Sequence, residues 1–370
     1  MTPDGKAARA LRLLCIAPMM KYTDRHFRYF IRLMSRRTFL FTEMIPSGAI
    51  ANGQAARFLV HHSDETPVAA QFGGNHPQHL ALCAKRAKEY GYTEVNLNAG
   101  CPSERVKNGA FGACLMKSPR VLKELMQAMA EASQLPVSIK MRVGVDEMDS
   151  YEFLSDLTST VAESGCRIFY IHARKAWLNG LNPKQNRTVP VLQHEKVFRL
   201  KRDFPHLTII INGGIQSFSE VPALVQHTDG VMIGRTAYEN PLMFMEADSR
   251  LFGEADPVAG IPHLVERITA YMQADTAMYG TPVRHFAQHL LKFFHGFPGV
   301  AEYRRKLTQS VFSPIITDKK SFSLNPIHPF RIPKAMPPFP ADKQEILRLM
   351  AELRSKLESH NKAYYQTQPL

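Results

Sequence analysis

A thiol flanked by glycine and proline, Gly100-Cys101-Pro102, leaves the end of an apolar run at 94–98. A residue so placed belongs to a loop and not to a core, and a thiol with a reference pKa of about 8.5 can give up a proton close to neutral pH. Downstream, Gly213-Gly214 and Gly234-Arg235 each close an apolar run, with Gly214 and Gly234 20 residues apart. Glycines let backbone N–H groups approach a ligand, and an arginine adds a charged fork, so the two turns together describe a phosphate site. Gln71, Lys140 and His172 end three further runs. A carboxamide, a cation and an imidazole aimed at one place suit an isoalloxazine edge, whose N1–C2=O side gathers negative charge on reduction. The same set would suit a sugar phosphate with a Schiff-base lysine, and Lys140 taken alone is more often that lysine or a structural cation.

These residues need a frame that brings strand ends together. Eight short apolar runs, 13–19, 39–44, 68–72, 94–98, 137–142, 167–172, 208–212 and 230–234, alternate with helical patterns. Such alternation implies a parallel sheet, and eight units favour a closed (β/α)8 TIM barrel over an open sheet. In that fold the carboxyl ends of the strands line the mouth. The expected mouth therefore holds Pro18, Met19 and Met20, then Gln71, Asn98, Lys140, His172, Asn212 and both glycine turns. Over 75–90, Leu80, Cys83, Ala84 and Ala87 recur at helical spacing, and over 150–165 Phe153, Leu154, Leu157 and Val161 make a stripe behind a capping box of Asp149 and Glu152. The barrel is expected over 1–252 and an all-helical C-terminal domain over 255–315, with helices at 261–279, 283–295 and 299–311. Six prolines between 326 and 340 mark 316–341 as an extended linker, and 342–370 carries a last amphipathic helix and tail.

The chain has 370 residues, enough for one barrel of typical size and a smaller appendage. Its net charge is +13, with a pI of about 9.5. A small neutral substrate does not call for that charge, whereas a polyanion does. The five cysteines are odd in number and hold no C-x-x-C pair, which argues against a disulfide framework. Cys114 stands in an apolar stretch and is expected to be buried, as are Cys15, Cys83 and Cys166. No apolar run reaches membrane-spanning length and the first residues lack a secretory core, so a cytoplasmic location is expected, with no metal.

Four stretches, CIAPMMKYTDRHFRYF, NLNAGCPSERVKNGAFGACLM, IHARKAWLNGLNPKQNR and INGGI, resemble the tRNA-dihydrouridine synthases, and most closely the A-type subgroup that acts on D-loop positions 20 and 20a. The resemblance runs from about residue 13 to 310 and implies FMN as cofactor, NADPH as reductant and tRNA as partner, with the helical domain binding RNA. It places flavin contacts on Pro18, Met19, Met20, Gln71 and Lys140. It places others on His172, Asn212, Gly213, Gly214, Gly234 and Arg235, and tRNA contacts on Asn98, Lys184, Arg187 and Arg304. Cys101 takes the position of the catalytic acid, protonating C5 of the uracil while C6 receives a hydride, and Asn98, His172 and Arg174 are expected to hold the base edge. Ala99 stands where a valine is usual and Ala301 where the subgroup has an arginine. A flavin reductase of a free enone or pyrimidine would use the same mouth but leave the basic helical domain idle.

Overall fold

The computed structural model describes residues 10–294 and, beyond them, Ala301, Glu302, Arg304, Arg305, Thr308, Arg348, Ala351, Glu352 and Ser355. Among the described residues nine short strands form one parallel sheet: β1 Leu14–Ile16, β2 Leu40–Phe41, β3 Ile45–Pro46, β4 Val68–Gly73, β5 Glu94–Ala99, β6 Val137–Arg142, β7 Ile168–His172, β8 Thr208–Asn212 and β9 Gly230–Ile233. The pairing order is β1-β9-β8-β7-β6-β5-β4-β2, with β3 also on β4. A parallel bridge between Cys15 and Phe39 closes the ring, through Ile16 N–H to Phe39 O at 2.9 Å and Phe39 N–H to Leu14 O at 2.9 Å. The result is the expected (β/α)8 barrel. Its second stave departs from the reading of 39–44 as one strand, because that stave is broken into β2 and β3. The break frees Thr42, whose hydroxyl accepts the Gln71 N–H at 2.9 Å.

Helices follow the staves in turn: α1 Arg25–Met34, α2 Pro77–Glu89, α3 Pro119–Ser133, α4 Tyr151–Ala162, α5 His194–Asp203, α6 Val221–Val225 and α7 Arg235–Glu239. Helix α2 buries the stripe read from its spacing, Leu80, Cys83, Ala84 and Ala87. Helix α4 starts one residue later than its proposed cap. Ser150, not Asp149, accepts the Phe153 N–H, at 3.1 Å, and Asp149 instead pairs with Lys175 at 3.0 Å. Phe153 is only half-buried, and Thr158 takes a place in the buried stripe.

Side chains of a strand alternate between its faces, so the register decides what fills the barrel. One side of the interior is apolar, with Cys15, Phe39, Phe41, Ile210 and Met232 among its core residues. The other side, on β4 to β6, is polar: Gln71 pairs in register with Asn96, Asn96 with Ser138 and Asn98 with Lys140. At its lower end Arg12 and Glu94 form a fully buried ion pair, to which Tyr170 also hydrogen-bonds. Cys15, Cys83 and Cys166 are buried as expected, whereas Cys114 is half-buried, because it lies in a 3-10 turn over Gly112–Lys117 and not in a helix stripe. Among the described residues no helix is long and apolar enough to cross a membrane, and no cluster could hold a metal ion.

Among the described residues a first compact unit takes 10–32, 37–237 and 250–253, and a second takes 33–36, 238–249 and the residues from 254 on. The second unit thus claims two short segments that the sequence reading gave to the barrel. It contains α8 Ile261–Tyr279, ended by Gly280 at φ +63°, and α9 Val283–Leu290. Tyr271 and Phe286 meet edge-on with ring centres 6.0 Å apart. Helix α9 is shorter than the expected 283–295. The expected helix at 299–311, the linker at 316–341 and the last helix lie outside the described residues, isolated positions excepted.

Candidate active site

The mouth is built on a strand end that turns sharply. After β5, the chain runs Gly100-Cys101-Pro102, and the Asn98 carboxamide oxygen accepts the backbone N–H groups of Gly100 at 3.1 Å and Cys101 at 3.0 Å. Ala113 N–H returns to Cys101 O at 3.0 Å. The thiol is half-buried, with its sulfur 3.4 Å from the Ser103 hydroxyl. Asn98 also donates to Gln71 Oε1 at 2.8 Å, and Gln71 donates to Asn96 Oδ1 at 2.8 Å. Each of these two amides therefore spends one N–H inside the protein and keeps a second.

Two basic side chains, Lys140 and Arg142, and an imidazole crowd the same rim. Lys140 donates to Asn212 Oδ1 at 3.0 Å, and Asn212 in turn donates to Met232 O at 2.7 Å. Burial, then the neighbouring Arg142, push the Lys140 amine down to about 7. Burial also holds His172 well below its ordinary range, with Arg142 and Lys140 adding to the effect. Among the described residues its buried Nδ1 meets no partner at good hydrogen-bond geometry, with the Arg174 backbone nearby. Burial pulls Arg142 down to about 10. Its Nε donates to Gly100 O at 2.9 Å, and its Nη1 to Lys175 O at 3.0 Å and Asn186 O at 2.9 Å. Arg142 therefore ties the cysteine turn to the loop that follows β7.

The glycine turns behave as their sequence suggested. Gly213 has φ +116° and Gly214 φ +81°, conformations that side chains rarely adopt. A Cβ on Gly213 would stand 3.3 Å from His172 Nε2. Gly234 faces open space. Arg174 and Arg187 are both held below the ordinary arginine value, by burial first and by Arg235 second. None of the three makes an ion pair among the described residues, so the cluster is short of negative charge.

The structure gathers Gln71, Asn98, Cys101, Lys140, His172, Asn212, Gly213, Gly214, Gly234 and Arg235 at the strand ends of one mouth, with Pro18, Met19 and Met20 leaving β1 beside them. Arg187 lies within electrostatic reach of Cys101 and Tyr22. Lys184 is exposed on the same loop, and Arg174 spends a guanidinium N–H on Pro190 O. Arg304 belongs to the second unit, where its Nε donates to Leu291 O at 2.8 Å. Two residues with structural roles here were not picked out from the sequence. Arg142 was visible only as a strand end, although it shares the inward parity of Ser138 and Lys140. Asn186 is fully buried and pins its loop through Trp177 N–H at 2.8 Å and Leu181 O at 3.0 Å, which no periodicity announces.

The half-buried Lys140 makes a prediction for the ligand-free protein. Its folded value lies below the 10.5 of an unfolded lysine, so between about 7 and 10.5 the native state binds fewer protons than the unfolded chain. Stability then rises with pH across that window, and the full burial penalty is present below it. Lys140→Met should melt higher than the parent at pH 7 and lose this part of the pH slope, as followed by thermal unfolding from pH 6 to 10 (roughly spanning the window). Superimposable pH curves for the two proteins would show that Lys140 carries no such penalty.

A family profile described as dihydrouridine synthase (Dus) matches residues 15–320. The tRNA-dihydrouridine(20/20a) synthase of Vibrio cholerae serotype O1 is 48% identical over 302 residues, which covers 81% of this chain and 92% of that protein. The protein of the same name from Yersinia pestis is 46% identical, covering 85% and 90%. That from Escherichia coli strain K12 is 48% identical, covering 80% and 85%.

Proposed function

Because this chain belongs to the dihydrouridine synthase family, we propose that its mouth carries out the reaction for which those relatives are named. The chain is a flavin-dependent oxidoreductase that reduces the C5=C6 bond of a uridine in tRNA. The finer reading assigns FMN as the flavin, NADPH as its reductant and positions 20 and 20a of the D-loop as the target. The observation that carries it is a phosphate-type cradle beside a half-buried lysine and a thiol, all at one end of one barrel.

The residues fit a flavin phosphate. Gly214 is exposed and Gly234 opens on free space, Gly213 and Gly214 both hold positive φ, and Arg235 stands in a cationic cluster that no acid answers among the described residues. Lys140, Gln71 and Asn212 fit the polar edge of the ring, and His172 Nδ1, without a well-placed partner among the described residues, offers a further contact. Pro18, Met19 and Met20 would back the ring. When bound, the reduced flavin supplies a hydride to C6 of the uracil. Cys101 supplies the proton to C5, and the retained N–H of Asn98 would serve the developing negative charge. His172, held neutral, can donate or accept at the base edge without adding charge. Arg174 is the other group read as holding that edge, from the loop after β7. Such a base must leave its stack to reach a barrel mouth, at a cost of a few kcal/mol, and phosphate contacts offset it. Lys184 and Arg187, on the loop after β7, are read as making those contacts, as is Arg304.

Purified protein should be yellow, with a band at about 450 nm, and should convert uridine in a tRNA transcript to dihydrouridine when supplied with NADPH. Arg187→Ala should weaken tRNA binding and lower the slope of log affinity against log salt by about 1. Equal turnover of free uridine would move the assignment to a small-molecule reductase, and a colourless preparation that takes up no flavin would end it.

A further inference from the structure

A continuous line of hydrogen bonds crosses the barrel from its floor to the cysteine turn. Glu94, fully buried against Arg12, accepts the Ser138 hydroxyl proton. Ser138 Oγ accepts Asn96 Nδ2–H at 2.7 Å, and Asn96 Oδ1 accepts Gln71 Nε2–H at 2.8 Å. Gln71 Oε1 accepts Asn98 Nδ2–H at 2.8 Å, and Asn98 Oδ1 accepts the backbone N–H groups of Gly100 and Cys101. Every member but Asn98 is fully enclosed, and Asn98 is only 8% exposed.

The line has a fixed direction. A carboxylate paired with arginine only accepts, so Ser138 must give it its proton and present a lone pair to Asn96. Each carboxamide is then forced to put its NH2 toward the floor and its oxygen toward the rim. At the rim, backbone N–H groups only donate, and they require that same orientation of Asn98. An isolated carboxamide could sit either way round, whereas here both ends of the line demand one arrangement of all three. Bonds in such a chain polarise one another, so the buried charge strengthens the acceptor that grips the turn.

We propose that Glu94 and Ser138, remote from the mouth, are positioning residues for Cys101, acting through Asn96, Gln71 and Asn98. The consequence for turnover rests on the reading of Cys101 as proton donor; the geometric claim does not. It can therefore be read from thiol chemistry as well as from catalysis.

The test compares Ser138→Ala, Ser138→Thr and Tyr170→Phe in the full chain with flavin bound. Ser138→Ala cuts the line while leaving Glu94 its bonds to Arg12 and Tyr170. Ser138→Thr keeps the hydroxyl. Tyr170→Phe removes a bond to the same carboxylate from outside the line. Alkylation by iodoacetamide is followed cysteine by cysteine by peptide mass spectrometry, beside kcat and KM for tRNA. Ser138→Ala should raise the alkylation rate at Cys101 about tenfold and lower kcat with KM unchanged, while the other two variants match the parent. An unchanged Cys101 rate, a rise shared by Cys15, Cys83 and Cys166, or equal behaviour of the alanine and threonine variants would overturn the proposal. If Ser138→Ala does not fold, Ser138→Cys, whose sulfur is a weak acceptor, is read in the same assay against the same outcomes. If Cys101 reactivity responds but Cys101→Ala keeps its activity, the line stands and the proton-donor reading falls.

Discussion

Cys101→Ala should bind flavin as the parent does and still oxidise NADPH with an artificial electron acceptor, while dihydrouridine formation falls by about 10²- to 10⁴-fold, the usual contribution of a positioned general acid. Three features of the turn support a loss confined to the proton step. The backbone of residue 101 is held by Asn98 and by Ala113, neither of which depends on the sulfur. Among the described residues the sulfur's hydrogen bond is to the Ser103 hydroxyl and it forms no ion pair, so removing it strands no buried charge. The cradle glycines and Lys140 lie on other strands. Single-turnover measurement separates the two half-reactions: hydride transfer from NADPH should keep its rate while reduction of tRNA collapses. Full tRNA activity in the alanine variant would remove the thiol from the chemistry.

Arg142→Met should be the most damaging change at a position that is not expected to touch substrate. The methionine preserves length and apolar bulk but leaves the carbonyls of Gly100, Lys175 and Asn186 without this donor. Stranding buried acceptors costs about 1–3 kcal/mol each where water cannot replace the donor, so a net loss of about 2–4 kcal/mol is expected. That corresponds to roughly 5–10 °C in melting temperature for a domain of this size. Catalysis should suffer separately, because the Gly100–Cys101 peptide loses one of its two clamps, and a displacement of about 1 Å can lower a rate 10²-fold. Arg142→Lys, with one charge but no fork, should fall between the two. Melting temperature and kcat both within error of the parent would show that the two loops are held by something else.

The barrel and much of its mouth could be read from the sequence because both follow from short-range rules. Alternation places Gln71, Lys140 and His172 inward, and a glycine pair after a strand forces a turn. Helix α8 ended at its glycine for the same kind of local reason. What escaped depends on contacts between residues far apart in the chain. Arg142 reaches Asn186, 44 positions away, and nothing in either segment announces the other. The second stave breaks because β4 accepts two separate partners, a property of the neighbour and not of 39–44. That the Asn98 oxygen holds the cysteine turn, and one of its N–H groups Gln71, was likewise not legible in the sequence. The capping of α4 was misassigned by one residue because Asp149 has a competing partner in Lys175.

The ion pair of Arg12 with Glu94 has a bearing on how the chain assembles. Arginine precedes the first stave and glutamate opens the fourth, 82 positions later, and Tyr170 joins them from the sixth. Either charge enclosed without the other is heavily penalised, so half-wound intermediates gain little by drying their interior early. The reward comes only when distant staves arrive in correct alignment, since a slip by one residue would turn glutamate outward and leave arginine stranded. A salt bridge at the base of the cylinder thus acts as a proofreading device, favouring the completed ring over its misaligned or unfinished forms.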